Sequence, residues 1–173
     1  MKKIILLVSV LVTTLIPISA SHSATINCSQ VTPGILHNPP TLKAQNWAKS
    51  FHDVKITLKT NCGDITFTGL GKAAPETIQS FIYLVQQKFY NNAICHRMVT
   101  SGIYVLQCGD PTGAGTGGPG YTISDENLPT TKGTNGYPTG TVAMANTGQP
   151  HTGGSQFFLV FQNSPLPAKY TVF

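Results

Sequence analysis

The chain has 173 residues, of which 40% are hydrophobic and only 10% are charged. This composition indicates a globular domain with a buried core and excludes a chain held open by its own charge. The formal net charge is +5, but the lysines form no block outside the N-terminal leader, so we predict no nucleic acid as a partner.

The first 24 residues carry a targeting signal. Residues 1–3 (MKK) are cationic, residues 4–18 are apolar, and residues 19–24 (SASHSA) offer small residues for cleavage, which is the pattern of a signal peptide. An uncleaved membrane anchor is the alternative, but the apolar run is shorter than the ~20 residues of a spanning helix, and Pro17 interrupts its end. We therefore predict a signal peptide over residues 1–24, export to the periplasm or the medium, and no membrane attachment after cleavage.

Residues 25–53 are interpreted as an N-terminal arm or linker. The dipeptide PG at 33–34 and the tripeptide NPP at 38–40 are turn and breaker signals, while Trp47 and Phe51 could anchor the end of the arm on a domain. The chain also contains 4 cysteines, namely Cys28, Cys62, Cys95 and Cys108. An even number suits two disulfides in an exported protein, although the sequence alone leaves three pairings open.

A hairpin and a helix are predicted next. Residues 54–59 (VKITLK) alternate between apolar and polar, and the turn cluster NCGD leads into a second alternating stretch at 65–67, so the two form a hairpin. Residues 75–89 predict a helix, because Pro75 suits its first turn and Glu76 favours the positive end of its dipole. Its apolar residues recur at helical spacing and predict a core-facing stripe of Ile78, Phe81, Ile82, Val85 and Phe89.

Short apolar stretches dominate the second half of the chain. Strands are predicted at residues 94–98, 103–107, 141–145 and 156–161, with a turn at 100–102 and a glycine-rich loop at 112–121. Many short strands, frequent Gly and Pro turns and one early helix predict a mostly antiparallel β-barrel or sandwich with helical caps.

The stretch CHRMVTSGIYVLQCGD, from Cys95 to Asp110, suggests three kinds of site that we set aside. Adjacent Cys95 and His96 point to opposite faces of a strand, which places them poorly as nucleophile and base. The cysteines and histidines lack the spacing of metal ligands, so no metal is predicted. The glycine run after Asp110 lacks both the ending and the following helix of a phosphate-binding loop, so it is better explained as the wall of a groove, and no cofactor is predicted.

Arg97 is the remaining candidate, a lone cation in an apolar stretch. A surface arginine is the ordinary explanation for such a residue. The polar residues on neighbouring predicted strands change the interpretation. Gln107 lies on the next predicted strand, Asn146 follows the predicted strand at 141–145, and Gln156 precedes two phenylalanines. A cationic donor, three amides and aromatic rings, without an acid–base pair, indicate a site that binds a peptide and polarises an amide.

Residues from about 54 to 173 resemble the cyclophilins, which are peptidyl-prolyl cis–trans isomerases. The blocks that match in order are FYNN at 89–92, HR at 96–97, QCGDPTG at 107–113, GTGGPGY at 115–121, DE at 125–126, GTVAMAN at 140–146 and GSQFF at 154–158. The resemblance implies an eight-stranded closed antiparallel β-barrel capped by two helices. It also implies a groove on the outer face of the barrel that takes X-Pro segments.

The resemblance assigns roles by position. Arg97 matches the catalytic arginine. The implied substrate-binding residues are Gln107, Tyr104, Ala145, Asn146, Thr147, Gln156, Phe158, Leu166 and Tyr170. Of these, Gln107 and Gln156 are polar groove residues, residues 145–147 hydrogen-bond the substrate backbone, and Phe158 forms a wall of the proline pocket with Leu166 near its rim.

The chain departs from the family pattern in three places. The segment between Arg97 and Gln107 is about two residues longer, so either Tyr104 or Ile103 fills the place of the proline-pocket aromatic. Tyr170 stands where a histidine is expected and a nearby tryptophan is absent, from which we expect weak cyclosporin binding. The sequence ends at Phe173, where relatives continue through a final helix and strand, and we therefore expect an incomplete domain over residues 54–173.

Two hypotheses of function follow. The first is an exported prolyl isomerase without a cofactor, acting as a monomer on proline-containing polypeptides. The alternative is a proline-peptide-binding module or holdase with little catalysis. If residues 94–98 and 103–107 form a hairpin, Cys95 and Cys108 become neighbours across it, and we expect their Cα atoms to lie within ~7 Å, the limit for a disulfide. His96 is then expected to point away from the substrate.

Overall fold

The computed structural model describes residues 28–29, 41–130 and 136–173. The predicted signal peptide and most of residues 25–40 lie outside this part of the chain. The elements, in chain order, are β1 (Val54–Thr60), β2 (Gly63–Gly69), α1 (Pro75–Gln86), β3 (Arg97–Ser101), β4 (Ile103–Cys108), β5 (Val142–Met144) and β6 (Phe157–Val160). Among the described residues, no helix has the length and apolar character needed to cross a membrane.

Strands β1 and β2 form the predicted antiparallel hairpin. Val54 pairs with Gly69 at one end and Thr60 with Gly63 at the other, next to the turn. Along β1 the apolar residues are half-buried and the polar residues between them are exposed, as expected of a strand with one face on a core. The hairpin packs this face against α1.

Helix α1 begins at Pro75, as predicted, and a carboxylate from a distant loop caps it. Glu126 accepts hydrogen bonds from the backbone N–H groups of Glu76 at 3.1 Å and Thr77 at 2.9 Å. These N–H groups have no partner within the helix, and a negative charge at this end is favourable. The cap fixes the start of α1 relative to the loop that contains Glu126.

The end of α1 differs from the prediction. The helix stops at Gln86, three residues before Phe89, and Val85 is 51% exposed rather than part of the core. The chain leaves the helix because Lys88 adopts a left-handed backbone conformation with φ of 57°, and the Phe89 N–H then bonds to the Leu84 carbonyl at 2.9 Å. This tight ending turns the Phe89 ring into the core, where it is 2% exposed, by a route that helical periodicity does not describe.

The other four strands form one antiparallel sheet in the order β3-β4-β6-β5. The predicted strand at 94–98 begins three residues later, at Arg97, and Ile94 keeps only an isolated bridge to Asp110. Ser101 pairs directly with Ile103 across a turn centred on Gly102, whose φ of 76° suits glycine. Arg97 and Gln107 face each other at the opposite end of this hairpin.

Two apolar clusters lie on opposite faces of the four-stranded sheet. We call them the core cluster and the floor cluster. The buried members of the core cluster are Ala74, Ile78, Phe81, Cys108, Ile123, Val142, Met144, Phe157 and Phe173. The buried members of the floor cluster are Val105, Tyr137, Ala143, Phe158 and Val160. Consecutive strand residues therefore divide between the two clusters, as side-chain alternation requires.

The mostly β fold is confirmed, but the described residues do not form the expected closed barrel with two capping helices. They form a two-stranded sheet, a four-stranded sheet and one helix. Residues 171–173 pair with β5 through the Met144 N–H to the Thr171 carbonyl at 2.9 Å and the Phe173 N–H to the Val142 carbonyl at 3.1 Å. Between β2 and this edge there is an open groove of about 490 Å³, so the two sheets meet through side chains such as Phe67 and Phe173 rather than through a ladder.

Two disulfides select one of the three possible pairings. One joins Cys28 in the arm to Cys62 in the β1–β2 turn, with Cα atoms 4.2 Å apart. The other joins Cys95 to Cys108 across the base of the β3–β4 hairpin, with Cα atoms 4.0 Å apart. The arm is also held further along, where Trp47 packs against Tyr83 of α1 at 5.9 Å between ring centroids.

Candidate functional site

Arg97, at the start of β3, lies at the edge of the floor cluster. It is the sole arginine in the sequence, and its side chain is exposed. Its Nη1 donates to Oε1 of Gln107, its partner across the hairpin, at 3.1 Å. The guanidinium is thus oriented by a neutral amide, which leaves its charge free to act on a ligand.

Gln107 passes this orientation on to a second amide. Its Nε2 donates to Oε1 of Gln156 at 2.9 Å, and Nε2 of Gln156 donates to the carbonyls of Gly115 at 3.0 Å and Gly117 at 2.9 Å. An amide that donates through nitrogen must accept through oxygen, so the order of the chain is fixed. We call this set, from Arg97 through both glutamines to the glycine-rich loop, the amide relay.

Asp110 shapes the loop at the far end of the relay. Its side chain is fully buried, and it accepts from the Thr112 N–H at 2.8 Å, the Thr112 hydroxyl at 2.7 Å and the Gly117 N–H at 3.0 Å. Burial acts to raise the pKa of Asp110, but these bonds and one from the Gly115 N–H lower it below its ordinary value. Sequence reasoning gave Asp110 no role, although an aspartate before Pro-Thr-Gly is a known turn signal.

Phe158 provides the apolar surface beside the relay. It lies opposite Gln107 on the neighbouring strand, is 5% exposed, and packs edge-on against Tyr170 with ring centroids 5.3 Å apart. Leu166 and Ile103 pack against the same floor cluster. A cation and two amides therefore border an apolar patch, which is a suitable surface for a proline ring next to an amide bond.

Tyr104 is not brought into this set. It pairs with Thr100 at the end of the hairpin, on the face of β4 opposite to Gln107, and its ring packs against Phe161 at 6.0 Å between centroids. Ile103 lies on the same face as Gln107, because residues two and four apart share a face of a strand. Of the two residues considered for the pocket, the structure therefore places Ile103, and not Tyr104, at the floor cluster.

Residues 145–147 form the opposite side of the groove. The Ala145 N–H bonds to the Gln156 carbonyl at 2.9 Å, which ties this segment to the relay. Asn146 uses its side chain structurally, donating to the Lys169 carbonyl at 2.8 Å and accepting from the Gly148 N–H at 3.0 Å. Together with Thr147 and the glycine-rich wall, these residues line a groove of about 550 Å³.

His96 and the cysteines do not form a nucleophile and base. The His96 ring lies beside Gly115, so that a Cβ there would sit 3.4 Å from His96 Cδ2, whereas Arg97 reaches Gln107. All four cysteines are in disulfides, so no thiol is available as a nucleophile. The chain therefore has no Cys-His pair that could carry out covalent catalysis.

Comparison with known proteins gives the family. The model of the cyclophilin type peptidyl-prolyl cis-trans isomerase family matches residues 55–173. The chain belongs to this family. It is 46% identical over 129 residues to a probable peptidyl-prolyl cis-trans isomerase B of Mycobacterium tuberculosis, covering 69% of this chain and 42% of that protein. It is 38% identical over 133 residues to a peptidyl-prolyl cis-trans isomerase of Helicobacter pylori, covering 76% of each.

A solved cyclophilin has the same fold. The structure of a cyclophilin type peptidyl-prolyl cis-trans isomerase from Cryptosporidium parvum, crystallised in the presence of the dipeptide Ala-Pro, matches with a TM-score of 0.61 and 33% identity over 69% of this chain and 76% of that one. The chain spans less than half the length of the mycobacterial relative.

Most of the residues assigned by resemblance to the cyclophilins come together. Arg97, Gln107 and Gln156 are joined by hydrogen bonds, and Phe158, Leu166 and Tyr170 pack in one cluster. Sequence reasoning missed Tyr137, which is fully buried and whose hydroxyl donates to the Tyr170 carbonyl at 3.0 Å. Burial raises the pKa of Tyr137, so it stays neutral and holds the segment that carries Tyr170.

Proposed function

We propose that the chain is a peptidyl-prolyl cis–trans isomerase and that Arg97 carries the catalysis. The observation that supports this most strongly is the position of one oriented guanidinium at the border of an apolar patch. Arg97 is held by Gln107 at 3.1 Å, and Gln107 lies directly opposite Phe158. A proline ring on Phe158 would bring its own amide nitrogen towards the guanidinium.

The chemistry requires no nucleophile. The peptide C–N bond has partial double-bond character and a rotation barrier of ~18–20 kcal/mol, which makes uncatalysed X-Pro isomerisation a matter of roughly tens to hundreds of seconds. Rotation becomes easier when the prolyl nitrogen is pyramidal and its lone pair leaves conjugation. A donor aimed at that nitrogen stabilises the twisted state more than the planar one, which is the condition for catalysis.

Arginine suits this role for two reasons. The guanidinium stays charged, and its donors form a rigid fork. Here one arm of the fork is taken by Gln107 Oε1, so the rest of the group is presented in a defined direction. No acid–base step, covalent intermediate or cofactor enters this mechanism.

The same reasoning supports proline-containing polypeptides as substrates. Residues 145–147 offer an extended peptide a backbone to bind beside the groove, and the Cryptosporidium neighbour was crystallised in the presence of Ala-Pro. We propose exported, unfolded proteins as natural substrates and a periplasmic or secreted location, on the basis of the signal-peptide pattern in residues 1–24. The enzyme is proposed to act as a monomer.

We also propose weak cyclosporin binding. Tyr170 occupies the place of the expected histidine, and its ring is packed edge-on against Phe158. Its backbone is tied to Tyr137 through both N–H and carbonyl. Moving this segment would break two hydrogen bonds and a ring contact. A bulky cyclic ligand therefore has less room at Tyr170 and makes fewer contacts there. Nanomolar inhibition of the purified protein would contradict the proposal.

The function is tested by exchange spectroscopy on a proline peptide. The purified chain is added to an excess of a short Ala-Pro peptide, and the cis and trans signals are followed by NMR. Acceleration of exchange far above the uncatalysed rate is expected. Peptide binding without acceleration would select the alternative, a proline-peptide-binding module or holdase, and neither binding nor acceleration would overturn both.

A further inference from the structure

We infer that Asp110 is a positioning residue for Arg97 and acts on it through the glycine-rich loop and the amide relay. The inference rests on the proposed function for its kinetic consequence, but the geometry can be tested without any activity. Asp110 does not touch the groove, and it lies four hydrogen bonds away from the guanidinium along a continuous chain of contacts.

The first step is the carboxylate itself. A charged group that is fully buried is tolerated only when it is hydrogen-bonded, and Asp110 has two acceptor oxygens with different partners. Oδ1 accepts from the N–H and hydroxyl of Thr112, and Oδ2 accepts from the N–H of Gly117. The carboxylate thereby pins two points of the loop that lie five residues apart.

The second step is the closeness of the loop to the carboxylate. A Cβ atom at Gly117 would collide with Asp110 Oδ1, so the backbone at Gly117 lies directly on Asp110. The N–H groups of Gly115 and Gly117 face the carboxylate. The carbonyls of the same two residues belong to the following peptide units, and both accept from Nε2 of Gln156.

The third step is the polarity of the relay. Because two carbonyls are presented to Gln156, its Nε2 must point at the loop and its Oε1 must point at Gln107. Gln107 therefore offers Nε2 to Gln156 and Oε1 to Arg97. Without the loop carbonyls, each amide could flip, and Gln107 could present an NH₂ group to the guanidinium.

The fourth step is the lack of any competing anchor for Arg97. Within residues 41–130 and 136–173, neither of the two ion pairs involves Arg97, and the hydrogen bond found for its guanidinium is the one to Gln107. The direction of this exposed side chain therefore depends on Gln107 Oε1, and through it on Asp110.

The test is Asp110→Asn, which keeps the shape of the side chain but replaces an acceptor oxygen with a donor. We call the hydrogen bonds from Thr112 and Gly117 to the carboxylate the cage around Asp110. In either orientation of the new amide, its NH₂ group faces one of these backbone N–H groups, that of Gly117 or that of Thr112, and the cage is broken. The matched control is Asp53→Asn, because Asp53 also accepts a backbone N–H, from Lys72 at 3.0 Å, but lies outside the relay. If Asp110→Asn does not fold, Thr112→Val removes one donor to Oδ1 and is measured in the same way.

The first readout is the Nε–H signal of the single arginine in ¹H–¹⁵N spectra. We expect this signal, together with the side-chain amide signals of Gln107 and Gln156, to shift and broaden in Asp110→Asn, and to stay in place in Asp53→Asn. Shifts confined to the backbone of the loop, with the arginine signal unchanged, would overturn the inference. This result is independent of whether the chain is an isomerase.

The second readout is kinetic and uses a double-mutant cycle. Asp110→Asn should lower kcat for a proline peptide by roughly ten- to hundredfold, the usual effect of a misplaced catalytic group, with peptide affinity little changed. In an Arg97→Ala background, the same substitution should change the residual rate by less than about twofold, since the two residues act on one step. Equal losses in both backgrounds would mean that Asp110 acts independently of Arg97 and would overturn the inference. A wild type without isomerase activity would instead overturn the proposed function, and the arginine signal would then decide on Asp110.

Discussion

The two faces of the four-stranded sheet differ in what they contact, although both are built by the same strands. Phe157 and Phe158 are adjacent on β6 and almost equally buried, at 3% and 5% exposed. Phe157 joins the core cluster and packs edge-on against Phe81 and Phe173. Phe158 joins the floor cluster, beside the relay that holds Arg97. Side-chain alternation therefore divides two adjacent rings between the two clusters.

The core face is covered by a helix and a hairpin, whereas the described residues that cover the floor face lie in segments without regular structure. Helix α1 and the β1–β2 hairpin cover the core cluster. From α1, the Phe81 ring packs against the rings of Tyr90, Phe157 and Phe173. Over the floor cluster lie Tyr137 and the segment that ends in Tyr170. The two clusters are therefore equally well buried but are covered by different kinds of structure, regular elements on one face and hydrogen-bonded loops on the other.

Truncation of the two neighbouring phenylalanines should separate the faces. Phe157→Ala should lower the free energy of unfolding by about 3–5 kcal/mol, the usual cost of removing a buried aromatic ring. Phe158→Ala should also destabilise the chain, and in addition it should weaken binding of a proline peptide, because its ring is the proposed contact for proline and lies opposite Gln107. Urea unfolding and peptide titration by NMR measure the two effects. Equal peptide affinity in both folded variants would break the comparison.

Removal of each disulfide should have a similar effect on stability but a different effect on the site. The bridges close loops with sequence separations of 34 and 13 residues, and loop entropy then predicts losses of about 4 kcal/mol for the Cys28–Cys62 bridge and about 3 kcal/mol for the Cys95–Cys108 bridge. Each pair is replaced by alanines, and unfolding and isomerisation are measured.

Only loss of the Cys95–Cys108 bridge should lower the isomerisation rate of the folded protein. That bridge ties the residues just before Arg97 and just after Gln107, whereas the Cys28–Cys62 bridge ties the arm to the β1–β2 turn. A slower reaction in the variant that lacks Cys28 and Cys62, with no change in the variant that lacks Cys95 and Cys108, would contradict a role of the Cys95–Cys108 bridge in positioning Arg97 and Gln107.

The sequence allowed the fold to be anticipated where alternation and helical spacing are local. The β1–β2 hairpin and the start of α1 were predicted correctly, because each depends on neighbouring residues. The end of α1 was not, since the left-handed conformation of Lys88 depends on the gain from burying Phe89. The closed barrel was also an inference by resemblance, and the described residues hold two sheets that meet through side chains.

In the site, facing positions for Arg97 and Gln107 followed from the predicted hairpin. Strand alternation also places Ile103, four residues before Gln107, on the face of Gln107, and it places Tyr104 on the opposite face. The expectation for Tyr104 came from the resemblance, in which the longer segment between Arg97 and Gln107 left the position of the aromatic residue open. Asp110 was overlooked because its role is visible only through the loop that it holds.

Acidification should weaken the wall of the groove before the core. The folded-state pKa of Asp110 lies below its ordinary value of 3.8, so its contribution to stability is present above that value and is lost as the pH falls through the folded-state pKa. Asp110→Asn should therefore flatten the loss of stability that sets in as the pH falls below about 5 and through the folded-state pKa of Asp110. Urea unfolding at several pH values measures this. An unchanged pH profile in the variant would show that the cage around Asp110 contributes nothing.

Two neighbours at the end of α1 give the smallest expected effect. Val85 is 51% exposed and Leu84 is fully buried. Val85→Ala should change the free energy of unfolding by no more than about 0.5 kcal/mol, whereas Leu84→Ala should cost about 2–5 kcal/mol. Thermal or urea unfolding of both variants is sufficient. A large loss in Val85→Ala would mean that this side chain is covered after all.

The most direct test of the account is the isomerisation rate of Arg97→Ala. Arg97 is exposed, so the variant should fold with nearly the stability of the wild type and bind a proline peptide with similar affinity. By analogy with the removal of a single donor that stabilises a transition state, its rate should fall by roughly 100- to 1000-fold. Exchange spectroscopy on one peptide gives rate and affinity in the same sample. An Arg97→Ala variant as fast as the wild type would contradict the claim that this guanidinium carries the catalysis.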